Sequence, residues 1–129
     1  MLVKVYEYKQ CSTCQKALRF LDEKKIKYQS IAIIEQPPSL AELRQMLGFI
    51  KADGGDFKKL FNTSGELYRE MKISEKIKAG MTEKEALALL AQHGKMIKRP
   101  FLLARYSGTV GFKAETWSQI LQVSAEQNY

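Results

Sequence analysis

The sequence predicts an α/β fold, a small sheet interrupted by a helical insertion. Three observations predict it: a strand-like apolar stretch that gives way to a helical pattern at the start, two helix-capping signatures in the middle, and a hairpin pattern followed by a helix near the end.

Leu2, Val3, Val5 and Tyr6 to Tyr8 are rich in β-branched and aromatic residues over a strand's length, which suits a pleated, half-buried surface. From Ser12 onward Ala17, Leu18, Leu21 and Ile26 recur near helical spacing, with Lys24 and Lys25 at the end where the helix dipole is negative. Lys27 to Ile34 alternates and ends in a β-branched run, predicting a second strand that pairs parallel to the first through a right-handed crossover.

Pro37 and Pro38 stop that strand, and Ser39 with Glu42 is a capping box that opens a helix through Met46 or Leu47. Gly48 and Gly54-Gly55 punctuate the middle. Between Phe57 and Ile73 the apolar positions are broken by the polar Asn62 to Gly65, predicting short helical pieces around a turn. Thr82 with Glu85 is a second capping box for a helix carrying Ala86, Leu87, Leu89 and Leu90, which ends near His93-Gly94. His93 suits that helix end as a cation and is assigned no catalytic role. The helical insert therefore spans about 39–93.

After Arg99-Pro100, the stretch Phe101 to Tyr106, a Ser107-Gly108 turn and Thr109 to Phe112 form an antiparallel hairpin pattern. Residues Glu115 to Val123 close with a helix whose Trp117, Ile120 and Leu121 share one face, and the polar Ser124 to Tyr129 is expected to fray. This order is that of a thioredoxin-like fold, a single domain over 1–129, with a helical subdomain inserted between strand 2 and the C-terminal hairpin.

With 129 residues the chain is long enough for one sizeable core. Two cysteines are too few for a secreted disulfide scaffold, and no charged-then-apolar leader opens the sequence, so a cytoplasmic location is expected. The longest apolar runs fall far below the ~20 residues that cross a bilayer, so no membrane partner is expected. The formal net charge of +7 suits nucleic acid, anionic ligands and acidic partners alike. Its lysines are scattered among acidic neighbours, which favours solvated helix faces over a nucleic-acid surface.

Cys11 and Cys14 stand between the first strand and the first helix. A thiol at that turn faces the positive end of the helix dipole, where the nucleophilic thiolate is favoured. A zinc site needs four ligands, and the only histidine lies in another region, so no metal and no cofactor is expected. Two buried, inert cysteines would be the plainer arrangement, but Ser12-Thr13 between them are small and polar, as an exposed turn demands. Redox chemistry makes Cys11 the attacking thiol and Cys14, one turn into the helix, the resolving one.

Lys98-Arg99-Pro100 is the second constellation. Thioredoxin-like folds place a cis-proline here beside the cysteines, and Arg99 would then turn a permanently charged fork toward Cys11, to stabilise a thiolate or hold an oxyanion. A surface arginine without a role is the alternative.

Cys11-Ser-Thr-Cys14-Gln-Lys-Ala, the segment from Leu60 through Asn62-Thr63-Ser64-Gly65 to Tyr68-Arg69, Ile97-Lys98-Arg99-Pro100 and Val110-Gly111-Phe112-Lys113 together resemble the arsenate reductase (ArsC)-like family. Within it they are most similar to the branch that includes the transcriptional regulator Spx and uncharacterised relatives. The resemblance covers nearly the whole chain, and four ordered motifs make it far more specific than the cysteine pair alone. It implies a thioredoxin-like sheet with an inserted helical subdomain.

In the glutaredoxin-dependent arsenate reductases of that family, one catalytic cysteine matches Cys11 and three arginines hold the oxyanion. The second arginine matches Arg99, whereas the first falls at about Asn62 and the third at about Lys113. Asparagine removes both charge and fork, and lysine offers only a point charge, so the resemblance implies poor arsenate binding. A second cysteine such as Cys14 is what the Spx-like branch implies. Tyr68-Arg69 either supports the active-site loop or is a packed tyrosine beside an exposed arginine.

Two functions follow. As a thiol-disulfide oxidoreductase, the protein would use Cys11 as nucleophile and Cys14 as resolving thiol, with Pro100, Asn62 and Lys113 supporting, and would meet a disulfide substrate and a thiol reductant of the glutaredoxin or thioredoxin type. As a regulator, the same pair would be a switch controlling a surface for the C-terminal domain of the RNA polymerase α subunit, as the likeness to Spx implies. Direct nucleic-acid binding is not expected of either.

Overall fold

The computed structural model describes residues 2–124, so the expected fraying of residues 125–129 lies outside the described residues. In chain order the elements are β1 (Lys4–Glu7), α1 (Ser12–Glu23), β2 (Gln29–Ala32), α2 (Leu40–Ala52), a 3-10 turn (Phe57–Leu60), α3 (Glu66–Glu70), α4 (Ile73–Lys78), α5 (Glu83–Gln92), a second 3-10 turn (Gly94–Met96), β3 (Phe101–Leu103), β4 (Gly108–Val110) and α6 (Ala114–Leu121). The chain divides into two compact units, one containing the residues up to Ala32 and from Arg99 onward, the other Ile33–Lys98.

The first unit is a four-stranded sheet of order β2-β1-β3-β4, with β1 parallel to β2 and antiparallel to β3, and β3 antiparallel to β4. This mixed sheet with its flanking helices is the thioredoxin-like α/β fold the element order predicts. Strand alternation decides which residues become core. Val3 just before β1, Val5 of β1 and Leu102 of β3 join Ala17, Phe20 and Leu21 of α1 and Trp117 and Leu121 of α6 in one buried cluster. Each such large side chain contributes about 1.5–3 kcal/mol by leaving water. Trp117 also donates its indole N–H to the Gly111 carbonyl at 3.0 Å, so its one polar atom is satisfied on burial. On the opposite face Tyr6 and Phe101 are cross-strand partners in edge-to-face contact, with centroids 5.5 Å apart.

In the second unit α2 packs on α5 through buried Leu43, Met46, Leu47 and Ile50 on one side and Ala86, Leu87 and Leu90 on the other. Both start where the sequence signals them. Ser39 and Glu42 form a reciprocal capping box, and Thr82 accepts from the Glu85 N–H at 3.1 Å.

Most strands and the last helix are a residue or more shorter than expected, and four differences bear on the packing. α2 runs through Gly48 to Ala52 rather than ending at Leu47, because Ile50 continues its buried face and Gly48 sits on the exposed side with nothing near its missing Cβ. β2 stops at Ala32, and residues 33–36 turn instead of extending it to Ile34. The hairpin loop is 104–107, closed by the Ala104 N–H on the Ser107 carbonyl at 2.9 Å, so that Gly108 belongs to β4. α4 has no counterpart in the sequence reading: it starts from Lys72 in the left-handed region (φ 53°) and buries only Ile73.

Candidate active site

β1 delivers the chain to the cysteines through a short turn. The Cys11 N–H donates to the Tyr8 carbonyl at 3.0 Å, and Gln15 reaches back from α1 to donate its side-chain amide to the Lys9 carbonyl at 2.7 Å. Tyr8 donates its hydroxyl to Gln10 Oε1 at 2.8 Å. The turn is thus tied to the first turn of the helix it leads into.

Cys11 is the N-cap of α1. Its backbone is extended and its Sγ accepts the Cys14 N–H at 3.3 Å, a role that usually falls to a hydroxyl or carboxylate oxygen. The sulfur therefore sits on the unpaired N–H groups that carry the positive end of the dipole. No acidic residue occupies the first turn to offset that end.

The two thiols differ sharply in environment. Cys11 is half-buried and Cys14 fully buried, while Ser12 and Thr13 between them are exposed. Burial pushes the Cys14 thiol up from 9.0 to about 12, helped by its hydrogen bond with Cys11 and by the charge Cys11 can carry. The Tyr8 backbone and the positive charge of Arg99 pull the other way. Cys14 is consequently a protonated donor at neutral pH, and Cys11 is the sulfur presented to solvent.

Arg99 precedes Pro100, and the peptide bond between them is cis. The Arg99 guanidinium lies over the Tyr8 ring, 4.8 Å from its centroid. Pro100 is buried and its carbonyl accepts the Gly111 N–H at 2.8 Å, so the start of β3 is anchored to the end of β4.

The structure brings Cys11, Cys14 and Arg99 together, and Tyr8 and Gln15 join them. Sequence reasoning missed the last two. Tyr8 had a usable signal in its place three residues before Cys11, but its pairing with Arg99 depends on the β1–β3 register. Lys113 is an exposed residue heading α6. Asn62 belongs to the other unit, where its N–H donates to the Met96 carbonyl at 2.8 Å and its carbonyl accepts from Gly65 at 3.1 Å. In that unit Arg69 donates to the Ser64 carbonyl at 3.0 Å and the half-buried Tyr68 packs edge-on against the buried Phe61, so the arginine braces the 62–65 turn while the tyrosine covers Phe61.

Among the described residues no group of three or more His, Cys, Asp or Glu is placed to hold a metal ion, and no helix is long and apolar enough to cross a membrane.

The model of the ArsC family matches residues 6–120. The uncharacterized protein YusI of Bacillus subtilis is 42% identical over 119 residues, 92% of this chain and 98% of that protein. A solved structure described as a putative ArsC family related protein from Bacteroides fragilis is 41% identical, covers 93% of this chain and 98% of its own, and superposes with a TM-score of 0.85. At lower identity the chain is similar to an arsenate reductase of Neisseria meningitidis, 25% over 122 residues covering 92% and 97% of the two chains. The global transcriptional regulator Spx of Bacillus subtilis is 23% identical over 114 residues, 88% of this chain and 82% of Spx.

Proposed function

The chain belongs to the ArsC family, and from that premise we propose that it is a two-cysteine thiol-disulfide oxidoreductase that is not an efficient arsenate reductase. The observation that carries this reading is the asymmetry of the pair: a half-exposed Cys11 sulfur that caps the helix by accepting the Cys14 N–H, and a buried Cys14 whose thiol is pushed up by that burial.

The Cys11 thiolate attacks one sulfur of a substrate disulfide, forming a mixed disulfide and expelling the other sulfur as a thiolate. While Cys11 is free, its sulfur helps hold the proton on Cys14. Once Cys11 is tied up in the mixed disulfide that influence ends, and Arg99 and the Tyr8 backbone favour the Cys14 thiolate. Cys14 then gives up its proton, attacks Cys11 and releases the second substrate thiol. The substrate disulfide gains two electrons and the enzyme ends as the Cys11–Cys14 disulfide. A cytoplasmic thiol reductant of the glutaredoxin or thioredoxin type would restore both thiols.

Mass spectrometry after reaction with 2-hydroxyethyl disulfide tests the assignment. Cys14→Ser is expected to keep the adduct on Cys11, whereas the wild type loses it and ends two hydrogens lighter than the reduced protein. Equal adduct retention in both proteins would overturn the resolving role of Cys14.

A second reading rests on the likeness to Spx. There the same disulfide would act as a switch on a surface for the C-terminal domain of the RNA polymerase α subunit. Capture of that domain in one redox state only would select it over the enzyme.

A further inference from the structure

The charged side chains of the segment that carries Cys11 are all basic. Between Tyr8 and Leu21 the chain carries Lys9, Lys16 and Arg19 and neither Asp nor Glu. All three side chains belong to exposed residues, and none of them is ion-paired among the described residues. Lys9 is held beside the site because its carbonyl is bound by Gln15, and Lys16 is one helical turn beyond Ser12, with Arg19 following on the same face. Arg99, two residues before β3, lies over the Tyr8 ring. The nearest acidic residue in sequence, Glu7, is buried and accepts a hydrogen bond from the Ser30 hydroxyl at 3.2 Å, so it does not present its charge beside the others.

Lys9 and Lys16 stand at exposed positions outside the core. Their positions set the potential through which any disulfide approaches the Cys11 sulfur, and a patch of one sign selects incoming partners by charge. We propose that Cys11 selects anionic disulfides, those carried by acidic polypeptide segments, with Lys9 and Lys16 as the residues that determine this specificity. The proposal rests on the oxidoreductase reading and adds its substrate class. The exchange step itself is unchanged, and both electrons still pass from the dithiol to the substrate disulfide.

Three symmetric disulfides that differ mainly in charge are the probes: dithiodipropionate (dianionic), 2-hydroxyethyl disulfide (neutral) and cystamine (dicationic). Initial rates of loss of the Cys11 thiol are followed in the reduced full chain at about 10 mM and about 1 M KCl, where the screening length is ~30 Å and ~3 Å. At low salt the dianion is expected to react about tenfold faster than the dication, and at high salt that ratio collapses toward unity. Lys9→Glu/Lys16→Glu, changed only at exposed positions, is expected to lower the ratio at low salt by about the same factor, with the neutral disulfide little affected.

A ratio that responds neither to salt nor to charge reversal, with the neutral disulfide still reacting, would overturn the specificity and leave the oxidoreductase reading intact. Failure of all three disulfides to react would overturn both. An acidic peptide disulfide that reacts no faster than its uncharged counterpart would overturn the assignment to polypeptide segments.

Discussion

The Arg99 guanidinium rests over the Tyr8 ring, 4.8 Å from its centroid, and the sheet register accounts for it. In the antiparallel β1–β3 ladder Tyr6 faces Phe101. Tyr8 follows β1 and Arg99 precedes β3, so the two lie just beyond the same end of that ladder. The aromatic ring thus holds the cation where its charge reaches Cys14.

That contact should be measurable in the resolution step. Arg99→Met is expected to lengthen the life of the Cys11 mixed disulfide, because the charge that favours the Cys14 thiolate is gone. Tyr8→Phe keeps a ring and should resemble the wild type. Tyr8→Leu loses about 0.5–1 kcal/mol of cation–π attraction and should slow resolution roughly two- to fivefold. Quenched-flow mass spectrometry of the adduct would show this, and identical decay in all four proteins would refute it.

The raised Cys14 thiol makes stability depend on alkaline pH. Below pH 9 folded and unfolded chains both keep the proton. Between about 9 and 12 the unfolded chain releases it while the fold retains it, so stability falls as pH rises, by at most about 1.4 kcal/mol per unit from this group. Tyr28, pushed up from 10.0 to about 12 by burial and then by its hydrogen bond with Asp22, acts with the same sign from about pH 10. Urea unfolding across this range should give Cys14→Ala a shallower decline than wild type between pH 9 and 10.

Arsenate turnover is expected to be absent or slight. The likeness to the glutaredoxin-dependent reductases implies arginines at about the places of Asn62 and Lys113, and neither of these side chains offers the bidentate fork that grips an oxyanion. A coupled assay with glutathione, glutaredoxin, glutathione reductase and NADPH should show no arsenate-dependent oxidation of NADPH. Sustained turnover would contradict the assignment.

Two glycines should respond oppositely to alanine. A Cβ on Gly94 would lie 1.9 Å from the Ile33 carbonyl oxygen, a backbone atom that cannot swing aside, so Gly94→Ala should cost about 3 kcal/mol. Gly48 lies inside α2 with nothing within 4 Å of a new Cβ, so Gly48→Ala should stabilise by about 0.5–1 kcal/mol. Urea midpoints of the two variants would be compared with wild type.

Much of the fold was legible from local signals. Ser39–Glu42 and Thr82–Glu85 satisfy helix-end donors within four residues, so the start of each helix needs no distant partner. The apolar spacing along Ala17 and Leu21 and along Trp117 and Leu121 marks the faces that α1 and α6 bury. The ends of elements were less legible. α2 passes Gly48 because Ile50 finds a buried place, and α4 forms around a single buried residue. Both depend on packing that local propensity does not encode.

By itself the sequence determined the order of elements, the family likeness and the cysteine pair at a strand-to-helix turn, because each is written in residue types at short spacing. Only the tertiary structure decided the division of labour within the pair. The burial that keeps Cys14 protonated comes from the residues packed around it, and the ring beneath Arg99 comes from a β1–β3 pairing that ends beside residues 8 and 99. Desolvation and cross-strand contact arise between segments far apart in the chain, so no local pattern can carry them.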